Sequence, residues 1–286
     1  MPSLTRAHLV ILALTIAVLV PLVVPPPANA GANGYRLLKL DGYKVKWGEP
    51  RLGVGASVSY AFVQETLQFD DAINCGGMAP IEALSGTSLS SEALEREAAE
   101  AFGVWERAAG LSFHEIADAR DADIVIGAQR RPRGRAFANV TYAPDPEDGV
   151  RAIEQALVCM NPDHEWKVGF DGDMNVYDIR YTLIHEIGHA IGLDHPGPSG
   201  QVMGFSYTEA FDELQPGDRR GAQVLYGPAA DAGSVAHDFE NTGDVIDRGG
   251  NVLASSKKDV TLPCSNEEVE RHPDRTRRTC VWTQRE

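Results

Sequence analysis

Aromatic residues make up only 7% of this 286-residue chain, and basic side chains are outnumbered, 26 Lys and Arg against 41 Asp and Glu. The net charge of −15 repels phosphate backbones and anionic lipid, which speaks against nucleic-acid partners and against membrane-surface binding. Cysteine is scarce, four residues in all, and no pair has the C-x-x-C spacing of a thiol-redox or cysteine-rich zinc site. There is no internal repeat and no glycine-rich calcium nonapeptide of the β-helix kind. What remains, 43% hydrophobic and 23% charged, is a globular composition long enough for one large domain or two small ones.

Residues 1–30 read as an export signal. Arg6 precedes an apolar run from Leu9 to Val20, broken only by Thr15; prolines follow, and Ala28-Asn29-Ala30 supplies the small residues of a cleavage site. The run is shorter than the ~20 residues a membrane span needs, and prolines interrupt it, so a retained anchor fits less well. Cleavage after Ala30 predicts a secreted protein, extracellular or periplasmic, without stable membrane insertion. Disulfides persist there. The even set Cys75, Cys159, Cys264 and Cys280 then suggests two bridges, with three connectivities open. Nearness along the chain favours Cys264–Cys280, leaving Cys75–Cys159.

Val54 to Val63 ends in β-formers and reads as a strand, while Glu65 to Leu89 is irregular and reads as a loop or insertion. After a candidate N-cap at Ser90 or Ser91, apolar residues at Leu94, Ala98, Ala101, Phe102, Trp105 and Ala108 fall at helical spacing and stop at Gly110. Short strands are expected at Leu111 to Ile116, Asp123 to Gly127, Ala136 to Tyr142 and Ala156 to Met160. A helix capped by Asp178 runs to about Gly192, and another begins at Pro216 and closes at Gly227-Pro228. Beyond Ala229 apolar residues thin out, as in a tail or a small disulfide-pinned appendage.

The chemistry is concentrated in His185-Glu186-Ile187-Gly188-His189-Ala190-Ile191-Gly192-Leu193-Asp194-His195. Positions i and i+4 share a helix face, so His185 and His189 can offer two imidazole nitrogens to one cation. Gly192 permits a sharp turn that returns His195 as a third ligand. Three neutral nitrogens with an open fourth position form the pattern of catalytic zinc, and Glu186 stands where it can bind the metal's water rather than the metal. Five fixed positions would match by chance in roughly one chain per ten thousand of this size, so three unrelated histidines on an amphipathic helix are a poor account. His114-Glu115 lacks the second histidine, and His164, His237 and His272 have no partner at ligand spacing.

The complete H-E-x-x-H-x-x-G-x-x-H string, with Met203 eight residues after His195 and Leu225-Tyr226-Gly227 further on, resembles the metzincin metallopeptidases and, within them, the matrixins. The likeness extends from about Val54 to Gly227. It implies an α+β fold: a twisted, mostly parallel five-stranded sheet with two long helices, then a C-terminal helix. It also implies that Met203 forms the methionine turn beneath the zinc. Tyr207 lies four residues past Met203 and reads as a pocket wall before a catalytic group. Leu183 and Phe205 are further candidates for that wall.

Three departures from the matrixin pattern qualify the resemblance. The animal members carry a prodomain whose cysteine blocks the zinc; few residues separate Ala30 from the first strand, and Cys75-Gly76-Gly77 does not match the blocking motif. The resemblance places Cys159 where a histidine of a second, structural zinc would stand, and Ala136–Tyr142 has no histidine. One zinc is therefore expected, with a Cys75–Cys159 bridge in the pinning role of the second. Family calcium positions appear as Asn161 and His164. The oxygen-rich Asp171-Gly172-Asp173-Met174-Asn175 could hold Ca2+, but it has no glutamate at loop position twelve, and a polar turn is the simpler account.

The organisation expected is a signal peptide over 1–30, a matrixin-like zinc peptidase domain over 31–228 and a tail or small appendage over 229–286. The activity expected is hydrolysis of peptide bonds in a protein or peptide substrate, with Glu186 as general base. The alternative is a secreted zinc-containing binding module without turnover, against which Glu186 argues, since a pure binder does not need it.

Overall fold

The computed structural model describes residues 34–86, 89–131, 133–144, 149–230, 245–246, 252–254 and 280–283. The expected signal peptide and Cys264 lie outside these residues, so the Cys264–Cys280 pairing does too. Among the described residues no helix is long and apolar enough to cross a membrane.

An eight-stranded sheet organises the chain. Its strands are β1 (Lys39–Leu40), β2 (Tyr43–Lys46), β3 (Ala56–Phe62), β4 (Leu111–Glu115), β5 (Ile124–Ala128), β6 (Ala136–Tyr142), β7 (Val150–Met160) and β8 (Cys280–Thr283). The spatial order is β8-β6-β7-β5-β3-β4, with β2 alongside the first part of β7 and β1 beside β2. The pairs β3–β4, β3–β5 and β5–β7 are parallel, while β6 runs antiparallel to β7. The five expected strands are consecutive neighbours in this sheet, from β6 to β4 at its edge. A parallel pair needs a crossover rather than a hairpin. Helix α1 (Ser91–Glu106) makes the one between β3 and β4.

The capping and periodicity arguments hold for the helices. Ser90 accepts a hydrogen bond from the Ala93 N–H at 3.2 Å, and α1 buries Leu94, Ala98, Ala101, Phe102 and Trp105. Helix α2 (Ile179–Ala190) starts where the Asp178 carboxylate accepts from the Tyr181 N–H at 2.7 Å. Helix α3 (Pro216–Tyr226) has proline in its first turn and a capping box between Gln215 and Asp218.

Both faces of the central sheet are covered, so β5 is buried at every position and reads as an unbroken apolar run. The helical face carries the larger core, including Ile124, Ile126, Phe102, Trp105 and Ile187. The opposite face carries a smaller cluster, Val63, Met78, Val125, Phe137 and Leu157 among it, with Cys75 and Cys159. Those two cysteines are joined, tying the 64–79 segment to the end of β7. That segment is not wholly irregular: Leu67–Gln68 pairs with Gly77–Met78.

Two differences from the sequence reading concern strands. β7 begins at Val150, six residues before the expected Ala156, because its first residues pair with β2 while its last pair with β5. Residues 39–46 form a hairpin that the sequence did announce, since Tyr43-Lys44-Val45-Lys46 alternates and Asp41-Gly42 is a two-residue turn, although Lys46 is buried despite its charge. In the tail, Val245–Ile246 pairs with Val252–Ala254, and β8 joins the main sheet antiparallel to β6.

Candidate metal centre

Four anchors hold α2 and the turn after it. Trp105 Nε1–H donates to the Ile184 carbonyl at 3.0 Å and Trp47 Nε1–H to the Ala190 carbonyl at 2.8 Å. Tyr226 Oη donates to the Ile191 carbonyl at 2.7 Å, and the Leu38 N–H donates to the Gly192 carbonyl at 2.8 Å. Gly192 has a φ of +99°, and a β-carbon there would stand 2.2 Å from the Val45 carbonyl oxygen. Only glycine fits, and the turn it permits brings His195 back over the helix.

The three expected histidines converge. Their Nε2 atoms lie 3.0 Å (His185–His195), 3.1 Å (His185–His189) and 3.0 Å (His189–His195) apart. His185 Nδ1 is 2.6 Å from the Val202 carbonyl and His189 Nδ1 is 2.8 Å from the Leu193 carbonyl. A carbonyl can only accept, so each Nδ1 carries the proton and each Nε2 presents a lone pair. Lone pairs aimed at one point repel unless a cation lies between them. Nitrogens bound to zinc at 2.0–2.1 Å with tetrahedral angles stand about 3.3 Å apart, close to these separations. Burial holds all three imidazoles neutral: His189 is lowered to about 4, and His185 and His195 are lowered well below their ordinary value. Neutral, preoriented imidazoles with carbonyl partners fit a zinc ion. Among the described residues this is the one group of three or more His, Cys, Asp or Glu able to hold a metal.

Glu186 is fully buried, and neither carboxylate oxygen has a hydrogen-bond partner. Burial pushes its carboxyl up to about 8, and the Arg135 guanidinium pulls the other way. An unmet carboxylate in a dry site is costly unless a ligand or water uses it.

Met203 lies in a turn whose backbone is fixed by Asp218. That carboxylate accepts from the N–H groups of Val202, Met203 and Gln215 at 3.0, 3.1 and 2.9 Å. Since the Val202 carbonyl orients His185, Asp218 is two steps from the metal nitrogens. The sequence reading missed it, though Gln215-Pro216 followed by Asp218 carried the capping spacing. Arg135 was missed as well. It is 2% exposed, with its guanidinium 3.9 Å from the centre of the Tyr177 ring and 5.0 Å from that of Tyr207. Nothing in the sequence around it marks it.

The pocket candidates separate. The Phe205 ring is 37% exposed and stands edge-on to His195, 6.0 Å between centres. Leu183 is fully buried in the core. The Tyr207 hydroxyl accepts from the Asp178 N–H and donates to Glu209, each at 2.9 Å. The Asp171–Asn175 loop is tied to Lys167, whose Nζ bonds Asp171 and Glu209 and donates to the Asp173 carbonyl at 2.8 Å. At the two departed calcium positions, Asn161 Nδ2 donates to the Gly134 carbonyl at 2.7 Å, and His164 Nε2 lies 3.2 Å from the same oxygen.

A histidine-bearing helix, a glycine turn returning a third histidine and a methionine turn under it define a metzincin-type centre. The family model for matrixins matches residues 81–227, just over half of the sequence, and the chain belongs to the matrixin family. Stromelysin-3 of Mus musculus is 33% identical over 147 residues, covering 49% of this chain and 28% of that protein. Interstitial collagenase of Sus scrofa is 29% identical over 148 residues, covering 49% of this chain and 30% of that protein. Matrilysin of Mus musculus is 30% identical over 139 residues, covering 45% of this chain and 49% of that protein. The chain thus spans between under a third and about half of the length of these relatives.

Proposed function

We propose that this protein is a secreted zinc-dependent endopeptidase, with His185, His189 and His195 as the metal ligands and Glu186 as general base. The convergence of three Nε2 atoms beside a buried carboxylate with no partner carries this reading. When bound, zinc supplies Lewis acidity toward the scissile carbonyl and the attacking water. Glu186 takes a proton from that water and passes it to the leaving amine. Val202 and Leu193 hold two of the imidazoles in the tautomer that binds a metal, and Met203 floors the site. The substrate is a protein or peptide whose strand adds antiparallel along β6 by backbone hydrogen bonds. Phe205 and Tyr207 belong to the wall of its pocket. The same reading takes residues 1–30 as the export signal, 31–228 as the peptidase domain and Cys264–Cys280 as a second disulfide.

Glu186→Gln tests it. The substitution keeps size and removes the proton acceptor while leaving the imidazoles untouched. Zinc content should be unchanged, and cleavage of a peptide should fall by at least ~10²–10⁴-fold. A wild-type protein that holds zinc and binds a peptide but cleaves none would instead identify the binding module.

A further inference from the structure

The side of β6 along which a substrate strand would add is occupied in this fold by the chain itself. β8 runs antiparallel to β6, with Cys280 opposite Val140, Val281 opposite Asn139, Trp282 opposite Ala138 and Thr283 opposite Phe137. The other side of β6 is taken by β7 over Ile153 to Met160. A strand has two hydrogen-bonding sides, so β8 and an added peptide cannot both be accommodated. β8 runs toward the Ala136 end of β6, next to Arg135, whose charge acts on Glu186. Its polarity is the one proposed for the substrate.

Charge supports the same pairing. Although the chain carries −15 overall, Arg271, Arg275, Arg277 and Arg278 precede Cys280 closely. Beside β6 lies an open cavity of about 420 Å³ lined by Asp70, Asp71 and Glu154 together with Asn139 and Thr141. The register sets Cys280, which follows those arginines in sequence, opposite Val140, one residue from Thr141 in the lining of that cavity. A tethered segment also meets its site at an effective concentration in the millimolar range, so a short strand of weak intrinsic affinity can compete with a dilute substrate.

We propose that the C-terminal segment Cys280–Thr283 docks in cis on the substrate side of β6 as a built-in competitor, which a peptide must displace to reach Glu186. The proposal rests on the peptidase reading of this site. The partner that the surface fits is an extended strand with basic residues on its N-terminal side.

The test uses the full chain carrying Val281→Pro and Trp282→Pro. Consecutive prolines remove two backbone donors, so whichever of the two faces β6 is lost. Three readouts are compared with the wild type at equal zinc content: amide exchange of residues 136–142, binding of a labelled peptide of sequence 277–286 carrying Cys280→Ser, and KM and kcat for a short peptide. Exchange should quicken about tenfold or more. The labelled peptide should bind at least about fivefold tighter and inhibit the variant competitively, and KM should fall with kcat unchanged. Unchanged exchange and unchanged peptide affinity overturn the proposal. Tighter peptide binding in a protein that cleaves nothing keeps the docking and removes the peptidase reading. If the proline variant loses its fold by circular dichroism, Arg277→Glu with Arg278→Glu, which leaves the strand backbone intact, takes the same measurements. No change there overturns the proposal equally.

Discussion

Gly188 and Met203 interlock between α2 and the turn that orients His185: a β-carbon on Gly188 would stand 2.2 Å from the Met203 Sδ and 2.9 Å from Trp105 Cζ2. Two effects oppose each other in Gly188→Ala. Alanine gains about 1 kcal/mol of helix propensity over glycine. Overpacking a filled core costs about 1–3 kcal/mol, and here both obstacles are buried side chains with little room to yield. The clash should win, lowering the unfolding temperature and weakening zinc binding. Adding Met203→Ala empties the space and should recover part of the stability. A single Gly188→Ala variant more stable than the wild type would show that the methionine moves aside.

The Cys75–Cys159 bridge closes a long loop, 84 residues apart in sequence. In the chain-entropy model such a loop is worth about 4–5 kcal/mol. Replacing both cysteines by alanine should lower the unfolding free energy by several kcal/mol, read from denaturant titration. Zinc content should remain about one ion per chain, because neither cysteine belongs to the histidine cluster. A stable second zinc in the dialysed wild type would end the idea that this bridge does a metal's pinning work.

Much of this site was legible because its residues lie close together in sequence and each has a physical signature. Helical spacing places His185 beside His189, Gly192 answers a φ that other residues rarely adopt, and Asp178 is a cap. The helices followed from capping and apolar spacing. The missed features depend on contacts distant in sequence. Arg135 owes its place to the Tyr177 and Tyr207 rings. The first half of β7 depends on β2, some hundred residues earlier, and does not alternate clearly on its own, whereas the Asp41-Gly42 turn and the alternating Tyr43–Lys46 did mark β2. β8 belongs to the sheet through backbone pairing with β6, a relation that four residues near the end of a polar tail do not announce.

Lys46 gives a pH dependence separate from the metal centre. Its side chain is buried, donates to the Trp47 and Glu49 carbonyls at 2.6 and 2.7 Å, and lies 5.0 Å from the centre of the Tyr226 ring. Burial lowers its pKa from 10.5 to about 8, with Glu49 acting in the opposite direction. Between those values the unfolded chain keeps a proton that the folded chain has released, so this residue makes stability rise with pH across that window. Below pH 8 it contributes no slope. Relative to Lys46→Met, the wild type should gain on the order of 1–2 kcal/mol between pH 8 and 10. Parallel denaturant curves over that range, with no convergence or divergence, would mean that the amine stays charged in its pocket.

The Tyr207 hydroxyl is committed to structure, and that sets its expected mutant behaviour apart from that of Glu186. It accepts from the Asp178 N–H and donates to Glu209, and Asp178 in turn caps α2 through the Tyr181 N–H. The ring is clamped edge-on between Tyr177 and Tyr181, 5.2 Å from each. Tyr207→Phe keeps the ring and its packing but leaves the buried Asp178 N–H without its acceptor. An unsatisfied buried donor costs about 1–3 kcal/mol, so the variant should unfold at lower temperature and denaturant. Its kcat, measured where both proteins are fully folded and zinc-loaded, should stay within about threefold of wild type, since a hydroxyl with two protein partners adds little to proton transfer. KM is free to rise modestly, because this residue holds the start of α2 through Asp178. The opposite pattern, stability unchanged with kcat down a hundredfold, would make the hydroxyl a participant in the reaction.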